Sequence, residues 1–153
     1  MWSVVNFGKW KEKGKTLPQI IVSDPDWFFW AMETDSFLGS LKAEAAMLAR
    51  RAQSIRLPAP YGSDHCIQYM ITTDRKIADF NIIPSNRPAH LGSSSEIRRA
   101  YLSLRMPREI NEYDKLGGRQ IIRIFKYHWF NNKNLTKKAV ETFFDTASHF
   151  EKP

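Results

Sequence analysis

Three consecutive residues near the start of the chain have the types that hold a nucleotide phosphate. Gly14-Lys15-Thr16 matches the end of a P-loop, in which backbone N–H groups and a lysine surround phosphate oxygens. A P-loop also requires a glycine five positions before Gly14, and Lys9 occupies that position. The long helix that should follow is interrupted by Asp24-Pro25. The sequence therefore argues against a mononucleotide site here.

The same stretch carries four lysines around one tryptophan, between glycines that permit a tight turn. The basic residues are Lys9, Lys11, Lys13 and Lys15, and Trp10 lies among them. On a short β-ribbon, alternate side chains point to one side, and a tryptophan beside them stacks on a base. The pattern predicts that Lys9, Trp10, Lys11 and Lys15 bind nucleic acid. The alternative is a solvated hairpin that Phe7 and Trp10 pin to the helices behind it.

A second basic surface lies in the most clearly periodic segment of the chain, a predicted helix that begins near Gly118. Its apolar stripe consists of Ile121, Ile124, Phe125, His128 and Trp129. On the opposite side, Arg119, Arg123 and Lys126 form one cationic row. Further basic residues flank this helix: Arg105, Arg108, Lys115, Lys133, Lys137 and Lys138. The row predicts contacts with backbone phosphates, and the alternative is an ordinary solvated face.

The composition bounds the class of protein. The 153 residues, 42% of them hydrophobic and 25% charged, suffice for one domain or for one domain with a small appended module. The net charge of +7 favours association with polyanions, nucleic acid first. No apolar run is long enough to span a bilayer. With the single Cys66, which forms no internal disulfide, this predicts a cytoplasmic protein that does not contact a membrane.

Local signals place several helices in the first part of the chain. Thr16 begins a short helix, and Asp24-Pro25 begins a second one that contains four aromatic residues at positions 27–30. A longer amphipathic helix is predicted from Ser36 to about Ile55. The Pro58-Ala59-Pro60 stretch then divides an N-terminal module, residues 1–57, from a basic region, residues 61–153, although one continuous domain is also compatible with the pattern.

The second part of the chain reads as strands followed by helices. A β-hairpin is predicted by the β-forming residues at positions 66–72 and 76–83. Apolar and polar residues alternate over positions 96–106, which predicts a third strand, with a helix as the alternative. Pro107 predicts a short helix as far as Tyr113. Thr136 caps a last helix with an apolar face at Val140, Phe143, Phe144 and Ala147. The predicted fold class is α+β, an N-terminal helical module followed by a small antiparallel sheet packed with C-terminal helices.

Residues 6–33 resemble a known family. Phe7-Gly8-Lys9-Trp10-Lys11, then Gly14-Lys15-Thr16-Leu17, then residues 24–31 with the sequence Asp-Pro-Asp-Trp-Phe-Phe-Trp-Ala, are similar to the small module at the C-terminus of exodeoxyribonuclease X-like proteins. The module is also found in short stand-alone proteins of bacteria and phages. The resemblance implies DNA binding beside a nuclease, without catalytic residues. Glu12-Lys13 is an insertion relative to the family and lengthens the turn.

Nothing in the spacing of the remaining residues predicts catalytic residues, a metal site or a cofactor. Asp24 and Asp26 suit a helix N-terminus, and the adjacent His65 and Cys66 would point to opposite faces of a strand. We therefore expect a non-enzymatic protein that binds nucleic acid, DNA rather than RNA, or accompanies a nuclease. Two rivals stay open: a phage-type modulator or inhibitor of a host nucleic-acid enzyme, and a metal-dependent nuclease that uses Asp26 or Asp79.

Overall fold

The computed structural model describes residues 2–110 and 117–153. Its helices are α1 (Leu17–Ser23), α2 (Pro25–Glu33), α3 (Ser40–Ala52), α4 (Met106–Ile110), α5 (Gly117–Trp129) and α6 (Lys137–Asp145). Its strands are β1 (Val4–Val5), β2 (Lys15–Thr16), β3 (His65–Ile71), β4 (Ile77–Pro84) and β5 (Ser95–Arg99). Short 3-10 helices cover Gly8–Trp10 and Ala147–His149. The fold class is α+β, as the sequence predicts.

The starts of α1 and α2 follow from their capping residues. The Gln19 side chain accepts a hydrogen bond from the Thr16 N–H at 3.1 Å, which satisfies a donor at the start of α1. Asp24 accepts from the Trp27 N–H at 3.0 Å, and Pro25 occupies the first position of α2, where a missing N–H costs nothing. Both predicted starts are confirmed.

Helix α3 begins four residues later than predicted. Gly39 precedes it with φ +62°, a left-handed conformation that no helix can include and that glycine adopts at little cost. Phe37 lies ahead of this glycine and is buried against Phe28, with ring centroids 5.6 Å apart. The apolar spacing from Phe37 therefore reflects burial in the core and not one continuous helix.

The larger sheet has the order β4-β3-β5 and is antiparallel throughout. The predicted hairpin is β3 and β4, and Tyr69 of β3 stacks on Phe80 of β4 at 4.9 Å. The third strand is shorter than predicted because β5 ends at Arg99. Leu102 then leaves the sheet and pairs with Ile55 in an isolated bridge. Leu102 and Leu104 are both fully buried, so their alternation in the sequence reflects packing in the core outside the sheet.

The segment after Leu104 is helical where the sequence suggested a strand. Met106, predicted as the end of the third strand, is the first residue of α4, and Pro107 lies in its first turn. Residue Tyr113, the predicted end of this helix, is outside the described residues. Prediction and structure therefore agree on a helix at Pro107 and differ on Met106.

Helices α5 and α6 bury the stripes that the sequence predicts. On α5, Ile121 and Phe125 are fully buried, while His128 is half-buried beside Tyr127 and Trp129, and this burial lowers the pKa of His128. Thr136 caps α6 by accepting from the Ala139 N–H at 3.2 Å. Val140, Phe143 and Phe144 are buried, but Ala147 is exposed because α6 ends at Asp145 and a 3-10 turn follows.

Buried side chains from both parts of the chain form one cluster, which runs from Trp2 to Phe150. Ile55 pairs with both Leu102 and Phe150, so the chain before the proline-rich stretch is joined to the chain after it. Thr16, at the start of α1, donates to Glu141 of α6 at 2.9 Å. This shared core fixes the position of the N-terminal turn relative to α5.

Candidate functional site

The lysine-rich turn is built differently from the predicted ribbon. Only Val4↔Thr16 and Val5↔Lys15 pair as strands, and the chain between them forms the 3-10 helix Gly8–Trp10. Alternation of side chains therefore does not continue along the turn, because a 3-10 helix turns after about three residues. Gly8 has φ +60°, a conformation that suits glycine. The lysines do not form one row as the sequence predicted.

Aromatic side chains hold the turn against α2. The ring of Phe7 lies 5.8 Å from the ring of Trp27, and Trp10 contacts Trp27 edge-on at 6.1 Å. Trp10 is consequently half-buried, which agrees with the alternative that Phe7 and Trp10 pin the turn to the helices behind it. Its indole N–H is buried and meets no acceptor in the described part of the chain. Trp10 thus stabilises the turn from behind and offers little free ring surface.

Lys9 is oriented by the N-terminus of α2. Its ammonium group forms an ion pair with Asp24 and lies 5.3 Å from the centre of the Trp10 ring. Asp24 therefore has two partners, since it also caps α2 through the Trp27 N–H. The Lys9 side chain is about half exposed, so it keeps access to solvent and to an external anion.

Helix α5 is brought towards α2 through the short helix α4. Arg108 of α4 forms ion pairs with Asp26 at 3.4 Å and with Glu33 at 3.2 Å, both on α2. These two carboxylates, Glu33 foremost, raise the pKa of Arg108. At the neighbouring residue of α4, a Cβ added to Gly118 would lie 3.1 Å from Pro107 Cβ, so the start of α5 packs closely there. The basic row of α5 is thereby placed beside α2.

The turn and the basic row meet at one cleft with a volume of about 620 Å³. It lies between the N-terminal turn of α2, the lysine-rich turn and α5. Its walls are Lys9, Trp10, Val22, Ser23, Asp24, Pro25, Asp26, Pro107, Gly118, Arg119, Ile122, Arg123 and Lys126. Five of the seven residues predicted to bind nucleic acid therefore line one cleft: Lys9, Trp10, Arg119, Arg123 and Lys126.

The cleft carries an excess of positive charge. Among the described residues that line it, four side chains are cationic and two, Asp24 and Asp26, are anionic. The two carboxylates already pair with Lys9 and Arg108. Within residues 2–110 and 117–153, the three basic side chains of α5 form no ion pair with a carboxylate. Guanidinium groups without a carboxylate partner are able to bind an anion with several acceptor oxygens, such as a phosphate or a carboxylate.

The other predicted basic residues lie elsewhere. Lys11 and Lys15 are exposed and do not line the cleft. Arg105 and Arg108 pair with carboxylates of α2, so they are less available to a ligand than the sequence suggested. Lys115 is outside the described residues. Lys133 lies in the connection between α5 and α6, and Lys137 and Lys138 begin α6; all three are exposed and none lines the cleft.

The sequence did not indicate that Asp24 and Asp26 form a wall of the same cleft. Both residues have a local role as helix-start residues, which accounts for them without any site. The only sequence signal was the proximity of both aspartates to the lysine-rich stretch. The α5 residues that line the cleft with them lie more than 90 positions later in the chain.

Residues able to bind a metal are dispersed in the part of the chain that the structure describes. No group of three or more His, Cys, Asp or Glu side chains converges there. Asp79, considered above for a nuclease, accepts a hydrogen bond from Asn81 at 2.7 Å on β4, while Asp26 lies on α2. His65 pairs with Asp64 at 2.9 Å, and Cys66 is buried.

No helix within residues 2–110 and 117–153 has the length and apolar character needed to cross a bilayer. Comparisons of the whole chain with models of protein families, with curated proteins and with solved structures find no significant match.

Proposed function

We propose that this protein binds the phosphate backbone of nucleic acid in the cleft between the lysine-rich turn and α5, without catalysing a reaction. One observation carries the proposal. Two basic segments that the sequence singles out independently, around Lys9 and around Arg123, line the same cleft. Their excess of cationic side chains suits a chain of phosphates, since contacts of arginine and lysine with phosphate oxygens supply most of non-specific affinity.

The choice of DNA over RNA rests on the resemblance of residues 6–33 to the exodeoxyribonuclease X-like module. The same resemblance supports a role as an accessory to a nuclease in a bacterium or a phage. A cytoplasmic site of action agrees with the single free Cys66. These finer assignments depend on the resemblance and on composition, whereas the binding of phosphates depends on the cleft.

A salt titration tests the proposal directly. We expect labelled 20-nucleotide DNA to bind with a Kd of about 1–100 μM at 150 mM salt. The logarithm of the affinity should fall linearly with the logarithm of the salt concentration. For duplex DNA, three or four phosphate contacts predict a slope of about −2.7 to −3.6. Fluorescence anisotropy measures both quantities, and an affinity that ignores salt, or no binding at 50 mM salt, would refute the proposal.

The variant Asp24→Asn changes the charge of the cleft while it keeps the cap at the start of α2. Asparagine caps a helix as well as aspartate does, so α2 should keep its start and the unfolding free energy should change by less than about 1 kcal/mol. The substitution frees Lys9 and removes one negative charge from the cleft wall. DNA affinity should therefore rise, by up to about eightfold at 0.1 M salt if Lys9 gains one phosphate contact.

The control for this experiment is Asp24→Ala, which removes the same charge and also the cap. It should cost about 1 kcal/mol of stability, measured by urea denaturation, in addition to raising affinity. If Asp24→Asn leaves the DNA affinity unchanged or lowers it, Lys9 gains no phosphate contact and this expectation is wrong.

The two rival functions give different results. A protein partner would remain bound in a pull-down from bacterial lysate after nuclease treatment, whereas a nucleic-acid ligand would be lost. A metal-dependent nuclease would degrade labelled DNA only with magnesium, and the activity would disappear in Asp26→Ala or Asp79→Ala.

A further inference from the structure

Two large aromatic side chains lie exposed on the helices that form two walls of the cleft, and neither belongs to the hydrophobic core cluster. Trp30 of α2 is 42% exposed and Tyr127 of α5 is 61% exposed. Each belongs to one of the two helices that form the cleft walls. An exposed aromatic ring leaves apolar surface in water, and it gains stability when a flat ligand covers it.

The position of Trp30 follows from the helix that carries it. It lies four residues after Asp26, which lines the cleft, so its side chain projects from the same face of α2 one turn further on. The rings of Trp30 and Trp27 are 6.4 Å apart, and Trp27 contacts Trp10 at 6.1 Å. A row of three indoles therefore runs from the cleft wall to the exposed Trp30.

Tyr127 lies on α5, the helix of the other wall, next to residues that line the cleft. It lies four residues after Arg123 and directly after Lys126, both of which line the cleft. Its ring packs edge-on against His128, with centroids 5.0 Å apart, which leaves a face of the tyrosine free. The basic row of α5 thus ends in an exposed ring one helical turn from the last arginine.

We propose that the preferred ligand of this cleft is single-stranded nucleic acid, whose phosphates contact the basic row while bases stack on Trp30 and Tyr127. The inference rests on the proposed function and adds the strand form of the ligand. In a duplex the faces of the bases are covered by their neighbours, so exposed rings gain nothing from it. In a single strand the bases turn outward and stack on aromatic side chains, each with a contribution that depends little on sequence.

The experiment compares the binding of a 20-nucleotide oligo-dT with the binding of a 20-base-pair duplex at one salt concentration, in wild type, Trp30→Ala and Tyr127→Ala. Wild type should bind the single strand more tightly. Each variant should lose about fivefold to 150-fold in affinity for the single strand and little for the duplex. A salt series on each variant should give the same slope as wild type, because no phosphate contact is removed.

Three further variants test whether the aromatic ring itself, at these two positions, is responsible for the affinity. Trp30→Phe and Tyr127→Phe keep a ring and should retain most of the single-strand affinity. Tyr101→Ala removes another exposed tyrosine, one that belongs to neither α2 nor α5, and should leave the single-strand affinity unaltered. Because Trp30 and Tyr127 are exposed, circular dichroism should show folded variants throughout.

Failure of this inference differs from failure of the proposed function. Equal affinity of wild type for both strand forms, or single-strand affinity that survives both alanine variants, overturns the stacking role while binding to phosphates stands. No salt-dependent binding of either form overturns both. Retained single-strand affinity, together with loss of a nuclease-resistant protein partner in the alanine variants, would assign the rings to a protein interface and also overturn the inference.

Discussion

Replacement of the basic row by Arg119→Gln, Arg123→Gln and Lys126→Gln should nearly abolish DNA binding. The three side chains line the cleft and have no carboxylate partner in the described part of the chain, so each is free to neutralise a phosphate. One lost phosphate contact lowers affinity about eightfold at 0.1 M salt, and three lower it by roughly 500-fold. The slope of the salt dependence should fall by about 2.7, measured by fluorescence anisotropy on duplex DNA.

The matched control is Lys133→Gln, Lys137→Gln and Lys138→Gln. It removes the same net charge from exposed positions that do not line the cleft. A loss in affinity of less than about tenfold would separate a defined site from the general attraction of a basic protein. Equal losses in both triple variants would contradict a binding site in the cleft. The double variant Lys11→Gln and Lys15→Gln tests the two predicted residues that lie outside it.

The largest effect on stability is expected for Phe125→Ala. Phe125 is fully buried and its ring contacts Trp129, Phe130 and Phe143 at centroid distances of 5.6, 5.2 and 5.3 Å. Truncation of a buried phenylalanine to alanine removes apolar contacts and leaves a cavity, at a cost of about 3–5 kcal/mol. Urea denaturation followed by circular dichroism should show this loss in the unfolding free energy, which is a large part of the total for a domain.

Tyr127→Ala is the control on the same helix, because its side chain is exposed and its loss should change the unfolding free energy by less than about 0.5 kcal/mol. Phe125→Leu should lie between the two. If Phe125→Ala unfolds at the urea concentration of wild type, α5 is not anchored through its apolar stripe, and the placement of the basic row would need another cause.

Features that depend on neighbouring residues could be predicted from the sequence. The cap at Asp24 is a local hydrogen bond, and the hairpin of β3 and β4 follows from β-formers on both sides of a tight turn. The end of β5 could not be predicted in this way. Leu102 alternates like a strand residue, but it pairs with Ile55, almost 50 positions earlier, and that pairing is set by tertiary packing.

The residues of the site could be proposed from the sequence, but their arrangement could not. Basic side chains around Lys9 and Arg123 stand out by spacing alone. Their convergence depends on the ion pairs of Arg108 with α2 and on the close packing of Gly118 against Pro107. The chain between β1 and β2 contains the 3-10 helix Gly8–Trp10 and no further strand pairs, and the predicted grouping of Lys11 and Lys15 with Lys9 has no counterpart in the cleft.

The walls of the cleft come from residues far apart in the chain, which are held together by the shared hydrophobic core. Ligand binding in the cleft is therefore coupled to folding. Unfolding separates Lys9 from Arg123 and destroys the site, so a ligand that requires both binds only the native state. By mass action such a ligand stabilises the fold by about 2.7 kcal/mol at a free concentration of one hundred times its Kd. Nucleic acid carried through a purification would therefore raise the apparent melting temperature, and nuclease treatment before calorimetry would reveal the intrinsic stability of the chain.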